Sequence, residues 1–119
     1  MASIRPLLDA LVPEVQAEAK QALGGLLTGA IVRGYLPQAW VFETEEETVT
    51  FLVDRDGNAR TLEGPPEHPD VGIRGPSEDL AAVLRDRQMP EGAGQHIMYK
   101  HFTRKGELAW RFLKNRFGF

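Results

Sequence analysis

The sequence predicts an α+β fold, in which a single five-stranded sheet is covered by N-terminal, middle and C-terminal helices. Apolar residues alternate with polar ones in short runs between residues 38 and 102, which is typical of strands. They recur every three to four positions in residues 4–31, 76–87 and 104–117, which is typical of helices with one apolar face. No stretch has the composition of a linker, so we expect one domain over residues 1–119.

The N-terminal region, residues 4–31, is predicted to be helical with a boundary near Pro13. Leu8, Leu11 and Val15 begin an apolar stripe that continues to Leu27. Proline lacks the N–H that a helix interior needs, so we expect Pro13 to open a second helix after a short first one. A glycine pair follows further on and weakens the later part by about 1 kcal/mol per glycine relative to alanine.

The next segment predicts an antiparallel meander of three strands. Residues 38–44 and 48–54 alternate in polarity and flank a tip of three consecutive glutamates. An Asp-Gly pair at residues 56–57 is a strong hairpin signal and leads into a third strand at residues 59–64. Residues 64–70 contain three prolines, which remove backbone donors, so this stretch is predicted to be a crossover loop.

A strand–helix unit follows the crossover. Val71 and Ile73 alternate with smaller and polar residues, and Gly75-Pro76 then ends the strand. Proline suits the first helical position because its missing N–H would be unsatisfied there in any case. After another loop, residues 96–102 are predicted to form the last strand and residues 104–117 the last helix.

Composition limits the function classes. The chain has no cysteine, so thiolate chemistry, disulfides and cysteine-based metal sites are excluded. Its start is interrupted by charged residues and proline and does not resemble a signal peptide, and no run is long and apolar enough for a membrane span. The last four residues, RFGF, do not form a peroxisomal targeting signal. We therefore expect a cytoplasmic protein.

Few residues offer chemistry. His96 and His101 are five positions apart in a predicted strand and point to opposite faces, so a zinc site is not predicted. DRDGN, at residues 54–58, lacks the glycine and the glutamate that a calcium loop requires further along. No nucleophile motif or phosphate-binding glycine pattern is present. The sequence predicts no metal, no cofactor and no enzymatic activity.

Charge is distributed unevenly along the chain. Residues 1–99 carry 8 basic and 16 acidic side chains, whereas residues 100–119 carry 6 basic and 1 acidic. The basic segment is interpreted either as an ordinary surface helix or as a contact for anionic membrane lipid. Nucleic acid is not expected as a partner, because the acidic remainder would repel phosphates. The candidate anion-contact residues are Lys100, Arg104, Lys105, Arg111 and Lys114.

Two stretches resemble a known family. DVGIRGPSEDLAAVL, at residues 70–84, is similar to the strand–helix motif of the sterol carrier protein type 2 lipid-binding domain, and KGELAWRFLKN, at residues 105–115, is loosely similar to its C-terminal helix. VTFLVDRDGNART, at residues 49–61, matches the family's strand–turn–strand. The resemblance covers roughly residues 34–117, but the strand before the last helix is longer and more basic than is usual in the family.

The resemblance implies an apolar cavity between sheet and helices that binds a fatty acid, an acyl chain or a sterol-like lipid without reacting with it. The alternative is a filled core, with the aromatic C-terminal helix binding a partner protein or a second copy. We expect the hollow to lie beneath the last two helices. The predicted wall residues are Leu23, Leu27, Phe42, Phe51, Leu84, Met89, Ile97, Met98, Leu108 and Phe112.

Overall fold

The computed structural model describes residues 3–119 and confirms the predicted fold class. These residues form one five-stranded sheet and four α-helices, with a short 3₁₀ turn at Ala93–Gln95. The elements in chain order are α1 (Arg5–Leu23), α2 (Leu26–Arg33), β1 (Gln38–Glu43), β2 (Thr48–Val53), β3 (Ala59–Glu63), β4 (Val71–Arg74), α3 (Ser77–Asp86), β5 (Met98–His101) and α4 (Arg104–Phe117).

The strands lie in the order β3-β2-β1-β4-β5. β1, β2 and β3 form the predicted antiparallel meander, β4 pairs parallel to β1, and β5 pairs antiparallel to β4. The parallel pair arises because the crossover loop returns the chain to the start of β1. α3 then leads to β5 at the edge of the sheet.

Aromatic side chains fill the core on one face of the sheet. Trp40 and Phe42 of β1 lie opposite apolar residues of β2 and β4, and all of them are buried. Phe117, at the end of α4, packs against this layer. Its ring centroid lies 5.1 Å from that of Trp40, 5.7 Å from that of Phe42 and 5.2 Å from that of Phe51. The core between α4 and the middle of the sheet is therefore packed with rings.

The expected break at Pro13 is wrong. Pro13 lies inside α1, which continues to Leu23. The proline ring is exposed, while the buried stripe continues past it through Leu11 and Val15, so packing compensates for the lost hydrogen bond. The chain breaks instead at Gly24-Gly25, where Gly25 is extended and a Cβ would lie 2.1 Å from Thr28 Oγ1.

The acidic tip between β1 and β2 holds the starts of two helices. Glu45 accepts hydrogen bonds from the backbone N–H and the hydroxyl of Ser77, both at 2.9 Å, at the start of α3. Glu47 accepts a hydrogen bond of 3.2 Å from the backbone N–H of Arg5, at the start of α1. Carboxylates there satisfy donors that the helix itself leaves unpaired. The tip therefore anchors the starts of both α1 and α3.

The Glu45 contact predicts a pH-dependent anchor for α3. Hydrogen bonds, from its own backbone N–H first and then from the hydroxyl and backbone N–H of Ser77, hold the pKa of Glu45 below its usual value. A lowered pKa in the folded state adds stability above the unfolded-state pKa, and this stability is lost as the pH falls through the lower value. We expect amide exchange at Ser77 to accelerate on acidification below about pH 4.5.

Amide hydrogen exchange followed by NMR between neutral pH and pH 3 measures this effect, after correction for intrinsic exchange rates. Glu45→Gln should remove most of the extra acid sensitivity at Ser77. Glu46→Gln changes the exposed neighbouring carboxylate and should leave that sensitivity in place. Identical pH profiles in the wild-type protein and Glu45→Gln would contradict the assignment.

Within residues 3–119, no helix combines the length and the apolar character needed to cross a bilayer.

Candidate functional site

A pocket of about 350 Å³ opens between α1, α2 and α4, above the ends of β1 and β2. Its walls are mostly apolar, and small side chains create the space. The α1 wall includes Ala19 and Ala22, and Ala109 forms part of the α4 wall. Ile31 of α2 and Phe112 of α4 also line it and are 58% and 71% exposed, so they mark its mouth.

The floor of the pocket closes toward the core. A second void below it, lined by Trp40, Phe51 and Phe117 among others, measures only about 10 Å³. That volume holds about one water molecule at most. The pocket is therefore an open bay over a filled aromatic core, bounded by α1, α2 and α4.

Two of the four polar residues that line the pocket are already engaged. Thr28 donates its hydroxyl hydrogen to the Ala22 carbonyl at 2.9 Å. Gln38 donates to the carbonyls of Tyr35 and Lys105, at 2.6 and 3.0 Å, and accepts from the Trp40 indole at 2.9 Å. Their polar atoms are satisfied within the protein, so the surface offered to a ligand is dominated by carbon.

The α4 wall is fixed by a buried carboxylate. Asp70, which immediately precedes β4, is 3% exposed. It accepts hydrogen bonds from the Ala39 backbone at 2.9 Å and from the Thr103 hydroxyl at 2.7 Å, and it forms an ion pair with Lys105 at 3.1 Å. Thr103 in turn accepts a hydrogen bond of 3.0 Å from the Gly106 backbone and caps α4. This network sets where α4 meets the sheet, and therefore where α4 places Phe112 at the mouth of the pocket.

Of the ten predicted wall residues, the structure places Phe112 on the pocket and Phe51 on the small void below it. Leu27 and Met98 are 83% and 69% exposed. Leu27 points away because α2 buries only Gly29 against its neighbours. Met98 and the helix-facing Tyr99 point to opposite faces of the sheet.

The remaining six lie elsewhere. Three belong to the solid core or its edge, and three are half-buried away from the pocket. The core residues are Phe42, Leu84 and Ile97, and the half-buried ones are Leu23, Met89 and Leu108. Phe117 packs against Trp40 and Phe42 between the end of α4 and the sheet, and the pocket lies between α4, α1 and α2.

Sequence reasoning missed the residues that create the volume. Val15, which belongs to the buried stripe of α1, also lines the pocket, and Ala19 and Ala22 continue that lining further along the helix. The available signal was the small size of the two alanines. A stripe of small side chains can hold a helix near its neighbours without filling all of the space between them.

The predicted anion-contact residues do not act as one free group. Lys105 is tied to Asp70 and to the Pro37 carbonyl. Arg111 pairs with Glu107 at 3.4 Å, and the Lys100 ammonium lies 5.0 Å from the centre of the Phe102 ring. Arg104 and Lys114 are exposed and half-buried, respectively. Within residues 3–119, no cluster of three or more His, Asp or Glu side chains is arranged to hold a metal ion.

The solved structures that are similar to this chain include the following three. Sterol Carrier Protein 2 Like 2 from Aedes aegypti is 17% identical at a TM-score of 0.49, with 94% of this chain and 98% of that chain covered. The ubiquinone synthesis protein UbiJ-SCP2 is 10% identical at 0.45, with 98% and 93% covered. A conserved hypothetical protein from Thermus thermophilus, described as a possible sterol carrier protein, is 16% identical at 0.48, with 98% and 85% covered.

The printed descriptions of all three mention sterol carrier protein, in the third case as a possibility. Comparisons with protein-family models and with curated proteins give no match.

Proposed function

We propose that this protein binds one lipid or other apolar molecule in the pocket between α1, α2 and α4 and carries it without reacting with it. The observation that supports this is an apolar bay of about 350 Å³ that opens to solvent. That volume lies within the range of small-molecule sites, which are concave and lined mainly by apolar side chains.

The expected affinity follows from buried area. A chain that fills the bay removes a few hundred Å² of apolar surface from water, at about 25 cal/mol per Å². The gain is roughly 5–10 kcal/mol before association costs of at least about 4 kcal/mol are subtracted. We therefore expect a Kd of tens of micromolar or weaker, which suits a carrier that must release its ligand.

Loading at a membrane is a further part of the proposal. Leu26, Leu27 and Ile31 of α2 are 98%, 83% and 58% exposed beside the pocket mouth, and Phe112 faces solvent from α4. Such a rim suits brief contact with a bilayer in a cytoplasmic protein, with Arg111 and Lys114 within two positions of Phe112 on α4 to face anionic head groups. The alternative is an interaction module in which the same rim pairs with a second copy of the chain. That alternative expects a filled core, so the open bay fits it less well than it fits a carrier.

Filling part of the bay should weaken binding at least about tenfold. Ala22 lines it from α1, and Ala22→Phe places a ring where the ligand chain would lie. Excluding even two methylene groups of ligand costs about 1.6 kcal/mol, so affinity should fall at least about tenfold. Titration with a fluorescent fatty-acid analogue measures the change, and mass spectrometry of a denatured extract should detect co-purified lipid in the wild-type protein but little in the variant.

The matched control is Ala10→Phe, which adds the same ring at an exposed position of α1 that does not line the bay. It should bind the analogue like the wild-type protein. A correctly folded Ala22→Phe variant with unchanged affinity would disprove the assignment of the pocket.

A further inference from the structure

α2 is the wall of the bay that is held least firmly. Of its eight residues, only Gly29 is buried. Thr28 donates its hydroxyl hydrogen to the Ala22 carbonyl at 2.9 Å, so this polar contact lies at the end of α2 that joins α1. A short helix is stable in a protein mainly through the apolar surface that it packs against its neighbours. α2 can therefore shift at less cost than a helix that is packed along its length.

The other two helical walls are fixed in the core. α1 buries a stripe of three apolar side chains. α4 is held near its start by the ion pair of Lys105 with the buried Asp70, at 3.1 Å, and at its end by Phe117, which is 1% exposed. A movement that changes the width of the bay therefore falls to α2.

Glycines lie at both ends of α2, in conformations that do not require glycine. Gly24 and Gly34 have φ angles of −75° and −73°, which any residue adopts. Apart from its chain neighbours, a Cβ at Gly24 would meet no atom closer than 3.5 Å, and at Gly34 it would meet one backbone oxygen at 3.3 Å. Glycine can turn through φ values that other residues avoid, and hinges are residues at element ends that absorb such changes. The two glycines therefore suit α2 to a second position.

The mouth of the bay leaves apolar surface in water that a shift of α2 would cover. Ile31 of α2 and Phe112 of α4 line the mouth and are 58% and 71% exposed. Moving α2 toward α4 over a ligand would bury the ligand and both side chains, which is favourable in proportion to the apolar area covered. Without a ligand, the same movement would enclose a hollow in which the lining side chains lack partners. The ligand therefore favours the closed position through contacts that it makes only there.

We infer that α2 is a lid, which stands open in this structure and closes over a loaded apolar ligand. This inference rests on the proposed function and concerns how that pocket is regulated. In the open position, α2 presents Leu26 and Leu27, which are 98% and 83% exposed, beside the mouth. The closed position shields the ligand from water between loading and release, and exchange of the ligand requires α2 to open again.

The test measures the distance between α2 and α4 with and without ligand. The sequence has no cysteine, so two introduced cysteines carry the only nitroxide labels. Ala30 in α2 and Asn115 in α4 are exposed and do not line the bay, so Ala30→Cys and Asn115→Cys provide the labelled pair. Double electron–electron resonance should show a longer and broader distance distribution in the ligand-free protein. Saturation with the fluorescent fatty-acid analogue should shorten the mean distance by several ångströms and narrow the distribution.

Ala10→Cys with Asn115→Cys is the matched control, because Ala10 is exposed on α1 and does not line the bay. Its distance distribution should be the same with and without the analogue. An α2–α4 distance that does not shorten, in a labelled protein that a parallel titration shows to bind the analogue, would overturn the lid and leave the carrier function intact. An equal change in the control pair would do the same, since α2 would not be the moving wall. Failure of the wild-type protein to bind the analogue would overturn both.

Discussion

Replacing Gly106 with alanine is expected to lower the free energy of unfolding by about 3 kcal/mol or more, at the upper end of the cost of overpacking a core. For a domain of this length, that corresponds to a fall in Tm of about 10–15 °C. Thermal and urea unfolding followed by circular dichroism measure both quantities. This single methyl group should be one of the most damaging small changes in the chain.

The physical cause is the approach of α4 to the sheet. Gly106 is buried in the first turn of α4, and a Cβ there would lie 2.3 Å from the Asp70 carbonyl oxygen and 2.7 Å from the Asp70 carbonyl carbon. The Asp70 backbone cannot retreat, because it donates to the Ala39 carbonyl at 2.8 Å and accepts from the Phe102 N–H at 2.9 Å. α4 would have to lift away from the sheet instead.

Gly24→Ala provides the matched control. Gly24 ends α1 in the ordinary right-handed region at φ −75°, and a Cβ there would meet two backbone oxygens of the same helix only at 3.5 and 3.6 Å. The same substitution should therefore leave stability unchanged or raise it by up to about 1 kcal/mol. A Gly106→Ala protein within about 1 kcal/mol of the wild-type protein would show that the contact with Asp70 can relax.

The strands of the sheet could be predicted because the sequence patterns that indicate them involve residues close together in the chain. β1 and β2 each match their predicted strands to within one residue, since alternation and the Asp-Gly turn at residues 56–57 both depend on neighbours in the sequence. The break near residue 13 was predicted wrongly because helix continuation past Pro13 depends on long-range burial. The sheet that receives Leu11 and Val15 is formed by residues far along the chain.

The individual residues that line the pocket could not be predicted from the sequence, because an empty volume depends on how complete helices are positioned and rotated against one another. A heptad-like stripe over Leu108 and Phe112 suggests that Phe112 packs inward. The structure buries Gly106, Ala109, Trp110 and Phe117 instead, because the close contact at Gly106 fixes the rotation of α4. That rotation turns Phe112 toward solvent and leaves the small Ala109 on the bay.

Asp70 illustrates the same limit. The family-like motif includes Asp70 and the last-helix motif includes Gly106, but sequence alone does not show that the two residues touch. The structure joins them through Thr103 and Lys105 into one network at the start of α4. We therefore expect the largest polar effect on stability at Asp70.

Asp70→Ala should cost about 3–5 kcal/mol, because it leaves Lys105 and the Ala39 N–H without their buried acceptor. Asp70→Asn should cost less, since the amide oxygen can still accept from Ala39 while the charge that faces Lys105 is lost. Urea unfolding measures both values. Because α4 carries Ala109 and Phe112, both variants should also bind the fluorescent fatty-acid analogue more weakly.

Asp79→Ala makes the same chemical change at a surface pair, where Asp79 faces an exposed His96 at 3.2 Å. Exposed ion pairs contribute about 0–1 kcal/mol, so this variant should remain close to the wild-type protein in both stability and binding. Equal losses at Asp70 and Asp79 would mean that burial of the carboxylate adds nothing. A loss at Asp70 several times larger than the loss at Asp79 would show that the Asp70 carboxylate attaches α4 to the sheet and thereby holds the wall of the bay in place.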